Sequence, residues 1–122
     1  MLGSAAAALL ALAAPAGGQW LKLFDEPGET TWLDRSAAKA GAGEAMVWIR
    51  HDYPKPRPDG ARSVRDQWHV DCGQRSFTVF AVLSYDARGR LLKAQAIPAA
   101  ERHSAPLLPG SRMQKVFSAV CG

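Results

Sequence analysis

Apolar and polar residues alternate along several consecutive runs of the chain, a period of two that is typical of strands with one buried face. The long runs lie at 44–53, 63–72, 74–85 and 90–97, and shorter ones precede them at 19–24 and 30–34. The last three runs follow one another through connections too short for the helical crossovers that parallel strands need. The pattern therefore predicts one antiparallel sheet of about six strands.

The alternation also assigns side chains to the two faces of that sheet. In the run at 44–53, Ala45, Val47 and Ile49 form the more apolar face, and Trp48 lies on the other face with Arg50. Two further sets are each predicted to share one face: Val64, Trp68, Val70 and Cys72, and then Phe77, Val79, Ala81, Leu83 and Tyr85. The segment 36–40 is predicted to form one helical turn, and 98–109 a loop.

A single helix is predicted at the C-terminal end of the sequence. Met113, Val116, Phe117, Val120 and Cys121 recur at helical spacing and fall on one stripe. Ser111 and Gln114 have the spacing of a capping box that would open this helix. The predicted fold class is α+β, with the helix packed on the antiparallel sheet.

An export signal is predicted at residues 1–16. The apolar run 5–14 is too short to span a bilayer, and it ends in Ala14-Pro15-Ala16, a small-x-small cleavage site. Cleavage there leaves a single domain at 17–122, without a transmembrane helix. No Lys or Arg precedes Lys22, so we expect the leader to begin further upstream. Gly17 stands where a lipid-anchored protein would have cysteine, so no lipid anchor is expected.

The two cysteines, Cys72 and Cys121, are predicted to form a disulfide. Each lies on the apolar face of its own element, and export supplies an oxidising compartment. Two buried free thiols, or a thiol nucleophile activated by His69, are the alternatives. Strand parity places the His69 and Cys72 side chains on opposite faces, which argues against catalysis.

Composition and charge narrow the function classes. The formal net charge is +4, but the basic residues are scattered, so nucleic acid is not an expected partner. His51, His69 and His103 lack the spacing of metal ligands, and no phosphate loop or nucleophile elbow is present. We therefore expect no enzymatic activity, no metal and no cofactor.

Candidate binding residues lie in an exposed basic, proline-rich loop. Lys55, Arg57, Arg62 and Arg65 are the cationic members, and a protein or an anionic surface is the predicted partner. A solvated connector is the alternative interpretation of this loop. Trp48 is a further candidate, although core packing would also explain it. A sheet edge could in addition pair with a second copy to form a homodimer.

The order of several short motifs resembles the bacterial surface-adhesin protein E family. These motifs are Gln19-Trp20, Thr31-Trp32-Leu33-Asp34, Val47-Trp48, Val70-Asp71-Cys72, Gly89, Pro109-Gly110-Ser111 and Val120-Cys121. The resemblance implies a six-stranded antiparallel sheet with a C-terminal helix tethered by a disulfide. It also implies an exported, non-enzymatic binding module, periplasmic or at the cell surface. A periplasmic accessory or structural protein of an envelope complex is the alternative function, and an enzyme of unrecognised type is the third.

Overall fold

The computed structural model describes residues 19–34, 38–41 and 43–122, and the predicted signal at 1–16 lies outside them. One sheet and one α-helix form the described part. The strands are β1 (Trp20–Glu26), β2 (Glu29–Asp34), β3 (Ala38–Gly41), β4 (Glu44–Asp52), β5 (Ser63–Asp71), β6 (Ser76–Tyr85), β7 (Leu91–Ala96) and β8 (Ser104–Pro106). Helix α1 is Met113–Cys121, and a short 3-10 turn spans Ala99–Glu101.

All strand pairs are antiparallel, and six strands form the continuous path β1-β2-β4-β5-β6-β7. Two short strands extend it, because β3 pairs with β4 beside β2 and β8 pairs with β6 beside β7. The predicted fold class, an antiparallel sheet of about six strands with one C-terminal helix, is confirmed. In the described part of the chain, no helix is long and apolar enough to cross a bilayer.

Two predicted segments differ from the structure. Residues 38–41 form strand β3, with Ala38 opposite Met46, instead of the end of a helical turn; residues 36 and 37 lie outside the described part. Sheet hydrogen bonds outweigh local preference here, since one helical turn fixes several residues for a single bond. The predicted loop 98–109 contains the 3-10 turn and β8.

A β-bulge in β6 reverses the faces to which the side chains point in the second half of that strand. Trp68 lies opposite Val79, whereas the preceding Gln67 lies opposite Ala81, so Phe80 is the extra residue. A bulge reverses the inside-outside alternation beyond it. Phe77 and Val79 therefore share the Trp68 face, while Ala81, Leu83 and Tyr85 belong to the opposite face. The prediction that all five share one face was wrong.

The core lies between α1 and one face of the sheet, here called the helix face. Trp68, predicted to be in the core, is only 5% exposed and stacks on Phe77 with ring centroids 4.0 Å apart. Val116 of α1 packs into this cluster and is 2% exposed. The other buried members are Leu23, Leu33, Ala45, Val47, Ile49, Val70 and Leu107. The apolar stripe of α1 thus packs as its spacing predicted.

The start of α1 differs from the predicted capping box. Ser111 Oγ accepts a hydrogen bond from the Met113 amide, 3.2 Å away, rather than from the Gln114 amide. The Gln114 side chain instead accepts a bond from Arg75 Nη2 at 3.0 Å, and the Arg75 guanidinium lies 3.9 Å from the centroid of the Phe117 ring. Arg75, in the β5–β6 turn, has a left-handed φ of 50°. The Gln114 side chain therefore bonds to the β5–β6 turn instead of capping the start of α1.

The disulfide between Cys72 and Cys121 is present, as predicted. Cys72 directly follows β5 and Cys121 is the last residue of α1, so the bond joins the end of the helix to the β5–β6 turn. Together with the Arg75 contacts, it ties both ends of α1 to one corner of the sheet.

A charged bridge crosses the helix face beyond the end of the core. His51 Nδ1 lies 3.0 Å from Glu29 Oε2, and its Nε2 lies 3.2 Å from Asp66 Oδ2. Burial disfavours a charged imidazole, but the bonds and attraction to Asp66 and Glu29 outweigh it and raise the pKa of His51 above its ordinary 6.5. Burial likewise opposes ionisation of Glu29, yet bonds from Thr31 and His51 lower its pKa. One histidine side chain therefore links β2, β4 and β5.

Removing the disulfide should destabilise the domain strongly. A loop closed over 49 residues restricts the unfolded chain, so the variant Cys72→Ser/Cys121→Ser should lose about 4 kcal/mol of free energy of unfolding. Urea unfolding followed by tryptophan fluorescence measures this loss. A reductant should lower the midpoint of the wild type and leave the double variant unchanged; equal midpoints for oxidised and reduced wild type would contradict the expectation.

The His51 bridge predicts a specific pH dependence of stability. Because the pKa of His51 is raised by folding, its contribution is complete below pH 6.5 and is lost as the pH rises through the folded pKa. From about pH 6 to about pH 9, the free energy of unfolding of the wild type should fall relative to that of His51→Gln. The matched control His103→Gln, at an exposed site, should keep the wild-type slope. Parallel curves for wild type and His51→Gln would refute the bridge.

Candidate binding surface

The hairpin that joins β4 to β5 carries most of the net charge of the chain. Residues 50–65 contain five Lys and Arg and two Asp, a formal net charge of +3, where the whole chain carries +4. Asp66, the next residue, belongs to the helix face, where it bonds His51. Residues 54–60 are all exposed. The exposed end thus has a net charge of +1, from Lys55, Arg57 and Asp59, and the other three cations lie along the two arms of the hairpin.

Backbone hydrogen bonds hold the hairpin loop in one conformation. The Tyr53 amide donates to the Arg62 carbonyl at 2.9 Å, and the Arg57 amide donates to the Ala61 carbonyl at 2.9 Å. The turn closes with a 2.8 Å bond from the Gly60 amide to the Arg57 carbonyl, and Gly60 has a φ of +88° that side chains disfavour. The loop is exposed as predicted, but its charges are carried on a fixed backbone.

Tyr53 organises two of the arginines in this hairpin. The guanidinium of Arg57 lies 4.9 Å from the centroid of the Tyr53 ring, and Arg62 Nε donates to the Tyr53 carbonyl at 2.8 Å. Burial raises the pKa of Tyr53 above 10.0, the charge of Glu29 adds to this effect, and Arg57 opposes it. The phenol thus stays neutral near pH 7 and serves as a platform for Arg57.

A stack of alternating cations and aromatic rings crosses the opposite face of the sheet. Arg50 lies between two indoles, with its guanidinium carbon 4.7 Å from the Trp20 centroid and 4.8 Å from the Trp32 centroid. Arg65 lies between Trp20 and Tyr85 in the same manner, at 5.8 and 4.7 Å. Lys22 completes the series, 5.2 Å from the Trp32 centroid. The order of the stack is Lys22, Trp32, Arg50, Trp20, Arg65 and Tyr85.

Asp52 and the strand register fix this stack in place. Asp52 Oδ2 accepts a 3.0 Å bond from Trp32 Nε1 and lies 3.2 Å from Arg50 Nε as an ion pair. Arg65 is registered opposite Leu83, which is 2% exposed, so the stack lies beside a buried apolar residue of this face. The rings shield the faces of the guanidinium groups, which leaves their N–H edges for bonds to oxygen acceptors.

The structure divides the predicted binding residues between two neighbouring places. Lys55, Arg57 and Arg62 lie together in the hairpin loop, whereas Arg65 belongs to the stack. Trp48 is half-buried on the same face as the stack, registered opposite Gln67. These positions do not by themselves test a binding role, which stays a prediction for all five residues.

Other members of the surface were not identified from the sequence. Arg50 shares strand parity with Trp48, which was a usable signal, but nothing local indicates that Trp20, some thirty residues earlier, would lie over it. Within the described ranges, no group of three or more His, Cys, Asp or Glu residues is arranged to hold a metal ion. Fixed guanidinium edges suit carboxylate, sulfate or phosphate groups, which accept paired N–H bonds.

Comparisons with known proteins agree with this fold. A search of curated proteins finds no match. Three solved structures of protein E are among those that match. For Haemophilus influenzae protein E the TM-score is 0.60 at 19% identity, over 90% of this chain and 87% of that one. A second crystal form gives 0.59 at 17% identity, over 90% and 91%. Protein E from non-typeable Haemophilus influenzae gives 0.58 at 16% identity, over 89% and 78%. The family model for surface-adhesin protein E matches residues 20–122, and the chain therefore belongs to that family.

Proposed function

We propose that this chain is an exported, non-enzymatic binding module of the bacterial envelope that holds an acidic protein or another anionic surface. Membership of a surface-adhesin family supports an exported or cell-surface location and a binding role. The proposal includes removal of residues 1–16 as a signal peptide. The binding surface is the β4–β5 hairpin together with the adjoining cation–aromatic stack.

The concentration of positive charge on a fixed hairpin is the observation that carries this proposal. Exposed cations on a mobile chain must be ordered when a partner binds, which costs free energy for each side chain. Here the backbone is already closed by hydrogen bonds, and Arg50, Arg57 and Arg65 already lie against aromatic rings. An anionic partner therefore meets cations that are largely preorganised.

Neutralising the hairpin should weaken binding to polyanions. The variant Lys55→Gln/Arg57→Gln should bind immobilised heparin and polyglutamate about threefold to tenfold more weakly at low ionic strength, mainly through slower association. Surface plasmon resonance at low and high salt measures the change. Heparin represents a sulfated surface and polyglutamate an acidic polypeptide, so the two arms distinguish the kinds of partner.

The control variant Arg112→Gln/Lys115→Gln removes the same charge from exposed positions at the start of α1. It should bind like the wild type, because its residues lie outside the proposed surface. If the two double variants weaken binding equally, only the net charge matters and the hairpin has no special role.

A role as an accessory protein in an envelope complex is the second candidate, and the edge of the sheet supports it. All six residues of β7 are exposed, and Leu91 and Leu92 are 52% and 45% exposed. An exposed apolar edge strand can pair with a strand of another chain, a second copy included. Surface labelling of intact cells, compared with periplasmic extraction, separates this role from adhesion.

Pairing through β7 should be blocked by proline at an outward-pointing amide. The Ile97 amide bonds inward to the Phe80 carbonyl, so by alternation the Ala94 amide points away from β6. If the wild type forms a dimer in sedimentation velocity, Ala94→Pro should shift it to monomer. The control Ala87→Pro, in the adjoining turn, should leave the dimer intact. A monomeric wild type at high concentration, or a dimer that survives Ala94→Pro, would exclude this interface.

A further inference from the structure

A groove of about 360 Å³ lies on the helix face of the sheet, between the β4–β5 hairpin loop and the edge strand β7. Two half-buried valines form its floor, Val64 on β5 and Val82 on β6. In the strand register, Val82 lies opposite Gln95 of β7. Ser84, which pairs with Val64, lies opposite Lys93. The groove therefore has an apolar floor and a polar wall on β7.

The carboxylates that line this groove are already bonded within the domain. Glu29 and Asp66 both bond His51, at 3.0 and 3.2 Å. Asp59 Oδ1, in the hairpin loop, accepts a 3.0 Å bond from the Ala61 amide. Each of the three acidic groups thus has an internal hydrogen-bond partner.

The two basic side chains of the hairpin loop and β7 that line the groove have no acidic partner. In the part of the chain that the structure describes, the exposed Lys93 ammonium forms neither a hydrogen bond nor an ion pair. The Arg57 guanidinium lies 4.9 Å from the centroid of the Tyr53 ring and, among the same residues, forms no ion pair. The charges that the groove offers to a ligand are therefore positive.

The strand register separates Lys93 from the carboxylates around His51. Asp66, the nearer of the two, lies two strands away from Lys93 and two residues further along. With about 4.8 Å between strands and about 3.4 Å per residue, the two backbone positions are about 12 Å apart. That distance exceeds the screening length of about 8 Å at physiological ionic strength. An anion bound at Lys93 is therefore only weakly repelled by Asp66.

We infer that this groove binds a glutamate side chain of the acidic partner. The carboxylate would lie between Lys93 and Arg57, and the methylene stem would lie on the two valines of the floor. The exposed amide of Gln95 supplies a further N–H donor beside them. This inference rests on the proposed function, because it names the chemical group that the cationic surface holds. It also extends that surface from the hairpin loop to β7.

Removal of single charges from the β6–β7 hairpin tests the inference on the intact, oxidised domain. Lys93→Gln should weaken binding to immobilised polyglutamate about twofold to fivefold, because one exposed ion pair is lost. The matched control Arg88→Gln removes the same charge from an exposed position in the adjoining turn, outside the groove. It should keep the wild-type affinity. Surface plasmon resonance at low ionic strength measures both affinities.

A double-variant cycle distinguishes a shared carboxylate from general attraction by net charge. If Arg57 and Lys93 hold the same carboxylate, Arg57→Gln/Lys93→Gln should weaken binding by less than the product of the two single effects. Lys55 lies in the same loop but does not line the groove. The effects in Lys55→Gln/Lys93→Gln should therefore multiply.

Polyaspartate and heparin identify the group that is bound. Aspartate has a shorter stem to lie on the valines, and heparin carries its anionic groups on sugar rings. Lys93→Gln should therefore weaken binding of polyglutamate more than binding of either. Equal losses for the three polymers would overturn the inference, and so would equal effects of Lys93→Gln and Arg88→Gln.

The failure of this inference is distinguishable from failure of the proposed function. If Lys55→Gln/Arg57→Gln weakens polyanion binding while Lys93→Gln behaves like Arg88→Gln, the hairpin keeps its role and the glutamate site is excluded. If the wild type binds none of the three polymers, both proposals are excluded.

Discussion

The attachment of α1 to the β5–β6 corner is the constraint on which the rest of the structure depends. A nine-residue helix is too short to be stable alone in water, and its apolar stripe gains only by burial against the sheet. The disulfide from Cys121 fixes one end of this contact, and the bond from Arg75 to Gln114 fixes the first turn. With α1 held, the helix face becomes the core, and the opposite face remains for the cation–aromatic stack.

Each sheet face is specified by a different kind of interaction. The helix face is closed by apolar burial around Val47, Val70 and Val116, and beyond that core by the His51 bridge. Among the described residues no helix packs on the opposite face, and arginine and aromatic side chains stack there beside the buried Leu83. The bulge at Phe80 makes this possible, because it moves Leu83 and Tyr85 to the face where Arg65 lies. One extra residue in β6 thus places Leu83 beside the stack and makes Tyr85 its last ring.

Features set by short-range pattern were predictable from the sequence, and those set by distant contacts were not. The period of two identified the long strands, and the spacing of Met113, Val116 and Phe117 identified α1. Parity alone could not locate the bulge, since Val79 to Leu83 are all apolar and neither parity stands out as the buried one. Gln114 fits a capping box locally, but Arg75, 39 residues earlier, bonds its side chain. The cationic loop was visible as composition, whereas the stacking of Trp20 over Arg50 required the complete sheet.

The arrangement of arginines bears on whether the stack is structural or functional, and the two roles are compatible. Guanidinium groups between rings stabilise the sheet through their faces, which are weakly hydrated and pack like apolar surface. Their edges stay polar and cannot be satisfied by the rings. Arg65 Nε is buried without a hydrogen-bond partner in the described part of the chain, so stacking has not satisfied all of its donors. Asp52 already pairs with one edge of Arg50, so the binding role proposed above rests on those N–H groups of the stack that stay exposed, at positions fixed before a partner arrives.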